Sequence, residues 1–99
     1  MNPLKTYLLI KSEQKEFDLA RQFMRSATSI GANTEEAIGG YSKKDFIHKL
    51  QISYKEARET KYWLRLMRGT DIISQSKAKE LIKDVDELLR ILKDILNSS

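Results

Sequence analysis

The 99-residue chain lacks cysteine altogether and has only one proline and four glycines. Without cysteine it can form neither a disulfide nor a thiolate metal site. So little glycine and proline argues against an all-β fold, which needs a turn roughly every 8–12 residues. The longest apolar run (residues 7–10) is far short of the about 20 residues that cross a bilayer, and no signal peptide is visible. We expect one cytoplasmic, all-helical domain over residues 1–99.

The positive charge is concentrated in one part of the chain. The chain has 18 Lys and Arg against 14 Asp and Glu, a net charge of +4. Residues 41–70 hold eight of the basic residues and only three of the acidic ones. A local excess of this kind permits contact with an acidic partner but does not require one.

Four helical segments are predicted, over about 3–14, 17–38, 42–68 and 74–97. Pro3 suits a first helical turn, and Gly39 suits the end of a helix. Ser42 and Ser74 are placed to cap the last two helices. Because the connections are short, neighbouring helices should run antiparallel. The sequence therefore predicts an up-down-up-down four-helix bundle with a short first helix.

Apolar or small residues recur at steps of three and four along the long segments, which is typical of a helix face that packs on a neighbour. In segment 17–38 they are Ala20, Met24, Ala27, Gly31, Thr34 and Ile38, and the stripe is widened by Phe23, Ile30 and Ala37. In segment 42–68 they are Phe46, Leu50, Ser53, Ala57, Thr60, Leu64 and Met67. We expect both stripes to lie in the core.

The third segment also carries aromatic and apolar residues beside its main stripe. Either this long helix contacts two partners within the chain, or one flank contacts another subunit. A small domain has few ways to cover so much apolar surface alone, which favours self-association. The expected subunit interface consists of Tyr54, Tyr62, Trp63 and Leu66.

Little in the sequence indicates catalysis. The one histidine, His48, has no second His or Cys to complete a metal or catalytic site. The carboxylates Asp84, Asp86 and Glu87 have Lys and Arg residues within reach on the same helix and are typical of a solvated face. No glycine-rich phosphate loop follows a strand. We expect a protein that is not an enzyme and uses no cofactor or metal.

A row of cations follows the third helix. Arg58, Lys61, Arg65 and Arg68 fall within about 80° of its surface at 100° per residue. Such a row can follow a phosphate backbone, and Tyr54 and Tyr62 could stack on bases. The alternative is an ordinary face of ion pairs with neighbouring acidic residues. The candidate nucleic-acid-binding residues are Arg58, Lys61, Arg65 and Arg68, with help from Arg21 and Arg25.

Polar residues within the long helices suggest hydrogen bonds between helices. We expect a structural polar network of Asn33, Glu36, Glu56 and Glu59, with Arg25 or Arg58 pairing with the glutamates. Such a network sets the register of helices more than it adds stability.

Three segments resemble a known bacterial family. They are RSATSIGANTEEA (residues 25–37), SKKDF (42–46) and KEARETKYWL (55–64). Together they resemble the four-helix bundle proteins encoded in intervening sequences of 23S ribosomal RNA, over about residues 17–96. In two places the chain departs from that pattern. The first helix is shorter, which would either thin one wall of the core or leave part of the second helix exposed, and Thr34 stands where an aliphatic residue is expected.

The resemblance implies a homopentamer of four-helix bundles without known enzymatic activity. It also relates the chain to the accessory variability protein of diversity-generating retroelements, which works with a reverse transcriptase and binds nucleic acid through a basic surface. Nucleic-acid binding, RNA or DNA, is thus the favoured function. The alternative is a protein-interaction scaffold with no nucleic-acid ligand.

Overall fold

The computed structural model describes residues 2–99, apart from the side chain of Ile10. It consists of three α-helices, α1 (Pro3–Ile38), α2 (Lys43–Met67) and α3 (Gln75–Asn97). Over the described residues there is no β-strand. The prediction of an all-helical chain is confirmed.

The prediction of four helices is wrong, because segments 3–14 and 17–38 form one helix of 36 residues. The Asn2 side chain caps its start by accepting a hydrogen bond from the Leu4 N–H at 2.8 Å. The sequence around residues 12–16 interrupts the apolar pattern. However, it contains Glu, Gln and Lys, which favour a helix, and neither Gly nor Pro. The short first helix is therefore the beginning of α1.

The other helix ends lie within one residue of the predicted ones. The Ser42 hydroxyl accepts from the Asp45 N–H at 3.1 Å, and the Ser74 hydroxyl accepts from the Lys77 N–H at the same distance. Each capping bond satisfies a backbone donor that the first helical turn leaves without a partner. These short side chains therefore set where α2 and α3 begin.

Helix α2 lies between the other two. Ala37 of α1, Leu50 of α2 and Leu92 of α3 form one buried cluster. No Cα atoms of α1 and α3 approach within 8 Å in the described part of the chain. The buried residues of α2 belong to its predicted stripe: Leu50, Ser53, Ala57, Thr60, Leu64 and Met67.

The buried face of α1 lies at one edge of the predicted stripe, at the residues that widen it. Leu19, Ser26 and Ala37 are buried there, whereas Met24 and Ile38 of the stripe are 57% and 74% exposed. Ser26 comes one residue before Ala27, so the two faces are turned by about 100° from each other. The stripe was expected to lie in the core; Thr34 does contact Ser53 of α2 at 3.1 Å, whereas Met24, Gly31 and Ile38 are exposed.

Small hydroxyl residues make the contact between α1 and α2. Thr60 Oγ1 donates to Ser26 Oγ at 2.8 Å, and Ser53 Oγ donates to the Ile30 carbonyl at 3.2 Å. Ser26 and Ser53 are fully buried. Burying a hydroxyl group costs free energy unless the group is hydrogen-bonded. These bonds remove that cost, so α1 can pack through this face and not through the more apolar face beside it.

The molecule is elongated. Its radius of gyration is 17.2 Å, against about 13 Å for a compact domain of 100 residues. Helix α1 is about 54 Å long and α2 about 37 Å, so the start of α1 extends beyond α2. Leu4, Tyr7, Leu8 and Leu9 are each more than half exposed there. No helix in the described residues is long and apolar enough to cross a membrane.

Candidate nucleic-acid interface

Three of the four cations predicted on α2 are open to solvent. Arg58, Arg65 and Arg68 are exposed, and among the described residues none has a carboxylate oxygen within 4.0 Å. Arg58 and Arg65 lie two turns apart on nearly the same line of the helix, and Arg68 lies at its end. An unpaired cation keeps its full charge for an external anion.

The fourth cation, Lys61, is already paired. Its Nζ lies 2.6 Å from Oδ1 of Asp86 on α3, and its side chain is only 25% exposed. The pair joins α2 to α3 where they run side by side. Lys61 therefore helps to hold the two helices together. For this residue the structure agrees with the alternative prediction, a face of ion pairs with neighbouring acidic residues.

A groove of about 750 Å³ lies at the junction of α2 and α3. Arg65 and Arg68 border it from α2, and Lys79 borders it from α3. Gly69, Gln75 and Ser76 complete its wall. Three cations thus surround one open groove, and we refer to Arg65, Arg68 and Lys79 as the basic groove.

The start of α3 adds to the positive potential of the basic groove. Gln75 and Ser76, which line it, are the first two residues of that 23-residue helix. The first turn of α3 contains no acidic side chain. The partial positive charge of a helix N-terminus favours a bound anion, and the nearby carboxylate of Asp71, which lines a neighbouring pocket with Ser74 and Gln75, partly offsets it.

Arg21 and Arg25, named with the basic row, lie on α1 away from the groove. Arg25 contacts Glu59 at 2.6 Å and Glu56 at 3.4 Å on α2. The hydrogen bond that Arg25 donates to Glu59 raises the pKa of Arg25 above its usual value. Arg21 contacts Asp18 in its own helix at 3.2 Å. The structure thus places Arg25 between helices.

Of the expected polar network, the three glutamates reach across helices and the asparagine does not. Besides the Arg25 contacts, Glu36 of α1 lies 2.7 Å from Lys49 Nζ of α2, and this hydrogen bond raises the pKa of Lys49. Asn33 Nδ2 donates to the Ser29 carbonyl at 2.9 Å within α1. The network joins α1 to α2 along one side.

The four residues expected at a subunit interface have different surroundings. Tyr62 and Leu66 are 55% and 40% exposed on α2. Tyr54 is half-buried and packs against the Ala37–Leu50–Leu92 cluster. Trp63 is half-buried, and its ring meets Tyr62 edge-on at 5.1 Å. Tyr62 and Leu66 alone remain available for an external contact, while Tyr54 and Trp63 chiefly pack within the chain.

Sequence reasoning did not name Lys79, Gln75 and Ser76. These residues come from α3, and only the antiparallel pairing of α2 and α3 brings them beside Arg65 and Arg68. The Ser74 cap was recognised and marks the start of α3, so the signal for a positive helix end was present. What the sequence lacked was the register between the two helices.

Comparison with known proteins identifies relatives over nearly the whole chain. The family model described as 23S rRNA-intervening sequence protein matches residues 4–94. A solved structure of a protein with unknown function from the S23 ribosomal protein family, from Bacteroides thetaiotaomicron VPI-5482, is similar with a TM-score of 0.77. That protein is 42% identical, and the match covers 94% of this chain and 86% of that one. No curated protein matches.

Proposed function

The chain belongs to the 23S rRNA-intervening sequence protein family, which confirms the predicted resemblance. From that premise we propose that it is a self-associating, non-enzymatic, cytoplasmic protein that binds nucleic acid through the basic groove. The observation that carries the proposal is the convergence of Arg65, Arg68 and Lys79 on one open groove. Arg58 extends the positive surface along α2. Lys61 is left out, since it pairs with Asp86.

The chemistry of the groove suits a phosphate backbone better than a base edge. Its charged groups are exposed and lie on two helices, and the N-terminus of α3 lies beside them. Contacts to phosphate from cations and from helix N-termini position a protein on a nucleic acid without reading its sequence. We therefore expect binding of RNA and DNA with little sequence preference and with a strong dependence on salt.

Self-association would strengthen such a small site. One groove offers three or four cations, so a single copy binds weakly, while several copies in one assembly bind with greater avidity. The exposed apolar residues of α1, such as Leu4, Tyr7 and Met24, support association. The family resemblance suggests five copies and, among retroelement relatives, a reverse transcriptase as a further partner.

Binding is tested by fluorescence anisotropy with a labelled RNA hairpin and a DNA duplex at several salt concentrations. With three to four phosphate contacts, the logarithm of the affinity should fall with the logarithm of salt at a slope of about −3 to −4. The double variant Arg65→Glu/Arg68→Glu should bind at least tenfold more weakly and lose about two units of slope.

A matched control separates the groove from net charge. Lys5→Glu/Lys93→Glu changes two exposed cations outside the groove and also lowers the net charge from +4 to 0. It should keep most of the affinity. Equal loss in both double variants would contradict the groove. Absence of binding by the unmodified protein, together with a nuclease-resistant complex with one partner protein, would favour the scaffold alternative.

A further inference from the structure

The side of α2 that is turned away from α1 carries a row of exposed side chains that continues beyond the basic groove. Going back along the helix from Arg65, the row consists of Tyr62, Arg58, Lys55 and Lys44, and each of them is exposed. At 100° per residue these side chains fall within about 80° of the helix surface. We call this row of five residues the α2 ridge.

The α2 ridge contains no carboxylate. The acidic residues of α2 lie towards α1 instead: Glu56 and Glu59 contact Arg25, and the Asp45 carboxylate lies beside Gly40, just after the end of α1. Among the described residues, no carboxylate oxygen lies within 4.0 Å of any of the four cations of the ridge. These cations therefore keep their charge for an external anion.

The α2 ridge is long and straight, because it follows one helix. Lys44 and Arg65 lie 21 residues apart, which is about 32 Å along the helix axis. At the start of α2, the ridge meets a second open groove of about 460 Å³ that Lys43, Lys44 and His48 border. At the other end it meets the basic groove. An extended polyanion can thus contact cations over nearly the whole length of α2.

The ridge also carries an aromatic side chain. Tyr62 lies between Arg58 and Arg65 and is 55% exposed, although Trp63 contacts its ring edge-on at 5.1 Å. An aromatic ring among cations that track a phosphate backbone is typical of proteins on which unpaired bases stack. A duplex offers only the edges of its bases in the grooves, so the open ring of Tyr62 favours a single strand.

We propose that the α2 ridge binds single-stranded nucleic acid, with the phosphates along the cations from Lys44 to Arg65 and a base stacked on Tyr62. This inference rests on the proposed function and specifies its ligand. A single strand is flexible enough to lie along a straight helix. In a duplex each phosphate strand winds around the axis, so a straight row of cations meets phosphates only where a strand crosses it.

The first experiment compares ligands by fluorescence anisotropy with the unmodified protein. The probes are labelled oligo(U) and oligo(dT) of about 12 nucleotides, a DNA duplex of the same length, and oligo(U) of about 4 nucleotides. The longer single strands should bind at least tenfold more tightly than the duplex and than the short strand, which cannot span the ridge. A duplex that binds as tightly as the single strands would overturn the proposal.

The second experiment removes two cations of the ridge that lie outside the basic groove. Lys44→Gln/Lys55→Gln should weaken binding of the longer oligo(U) at least threefold and reduce the salt slope by about 1.4, at about 0.7 per lost contact to a single strand. The matched control is Lys5→Gln/Lys15→Gln, which removes two exposed cations of α1 and gives the same net charge of +2. It should keep the affinity, and equal losses in both variants would contradict the ridge.

The third experiment tests base stacking. Tyr62→Ala should weaken binding of oligo(U) by at least about fivefold and leave binding of the duplex unchanged, whereas Tyr62→Phe keeps the ring and should keep the affinity. Tyr7→Ala is the control, because Tyr7 is 57% exposed on α1. Circular dichroism checks that each variant remains helical. Unchanged binding of oligo(U) by Tyr62→Ala would refute the stacked base.

The outcomes separate the ridge from the basic groove. If Arg65→Glu/Arg68→Glu weakens binding and Lys44→Gln/Lys55→Gln does not, the ridge is wrong and the basic groove remains. If the unmodified protein binds neither single strands nor the duplex, both proposals fail. If polyglutamate displaces labelled oligo(U) as well as unlabelled oligo(U) does, the ridge recognises charge alone, and an acidic protein segment replaces the single strand as its ligand.

Discussion

Helices α1 and α2 carry stripes of the same spacing with opposite surroundings. In α2 the stripe from Leu50 to Met67 is buried. In α1, Met24, Gly31 and Ile38 of the stripe are exposed, and the helix packs through Ser26 and its neighbours. A periodic apolar pattern therefore indicates a helix face that packs against a partner. It does not indicate whether the partner belongs to the same chain.

Truncation in the two stripes should give the largest difference. Leu64 of α2 is fully buried, so Leu64→Ala should lower the free energy of unfolding by about 2–5 kcal/mol through lost burial and a cavity. Met24→Ala on the exposed side of α1 should change it by less than about 1 kcal/mol at low protein concentration. Urea unfolding of both variants measures the difference, and equal losses would mean that Met24 packs within the chain.

Exchanges between glycine and alanine test the same comparison with smaller expected changes in the free energy of unfolding. Gly31→Ala on α1 should stabilise the isolated chain by up to about 1 kcal/mol, because a helix interior favours Ala and the space is free. Ala57→Gly on α2, at a position with no exposed surface, should destabilise it by about 1 kcal/mol or more. Thermal unfolding by circular dichroism would show shifts of opposite sign. A loss of stability in Gly31→Ala would contradict the open space beside Gly31.

The smallest effects concern the charges of α2. Lys61→Ala removes the ion pair with Asp86 and should cost at most about 1 kcal/mol of unfolding free energy, since the pair is partly exposed. Arg65→Ala should leave stability within about 0.5 kcal/mol and weaken nucleic-acid binding. Chemical unfolding and anisotropy on the same two variants test this reciprocal pattern. If Lys61→Ala reduced nucleic-acid binding more than Arg65→Ala, the assignment of Lys61 to helix packing and of Arg65 to binding would be wrong.

Much of the local structure was predictable from the residues. Ser42 and Ser74 mark helix starts because their short side chains accept the backbone donors that a first turn leaves open. The buried face of α2 followed from its spacing. The false break near residue 15 arose because a polar stretch ends an apolar pattern without ending a helix.

The candidate site was only partly predictable. Arg58, Arg65 and Arg68 were found from their spacing on one helix, since neighbours on a helix surface are set by local geometry. That Lys61 meets Asp86, and that Lys79 joins the groove, depends on how α3 lies along α2. Pairing between helices involves residues far apart in sequence, so a local pattern cannot specify it.

The amino-acid sequence by itself determined that the chain is helical, where α2 and α3 begin and end, and that cations gather on α2, because each depends on contacts within a few residues. The tertiary structure decided which face of α1 is buried, which cations remain unpaired and that the basic groove exists at all. Those features depend on side chains from different helices meeting, as the Ser26–Thr60 hydrogen bond and the Lys61–Asp86 ion pair do. The side of α1 that these contacts leave over keeps Met24 and Ile38 exposed.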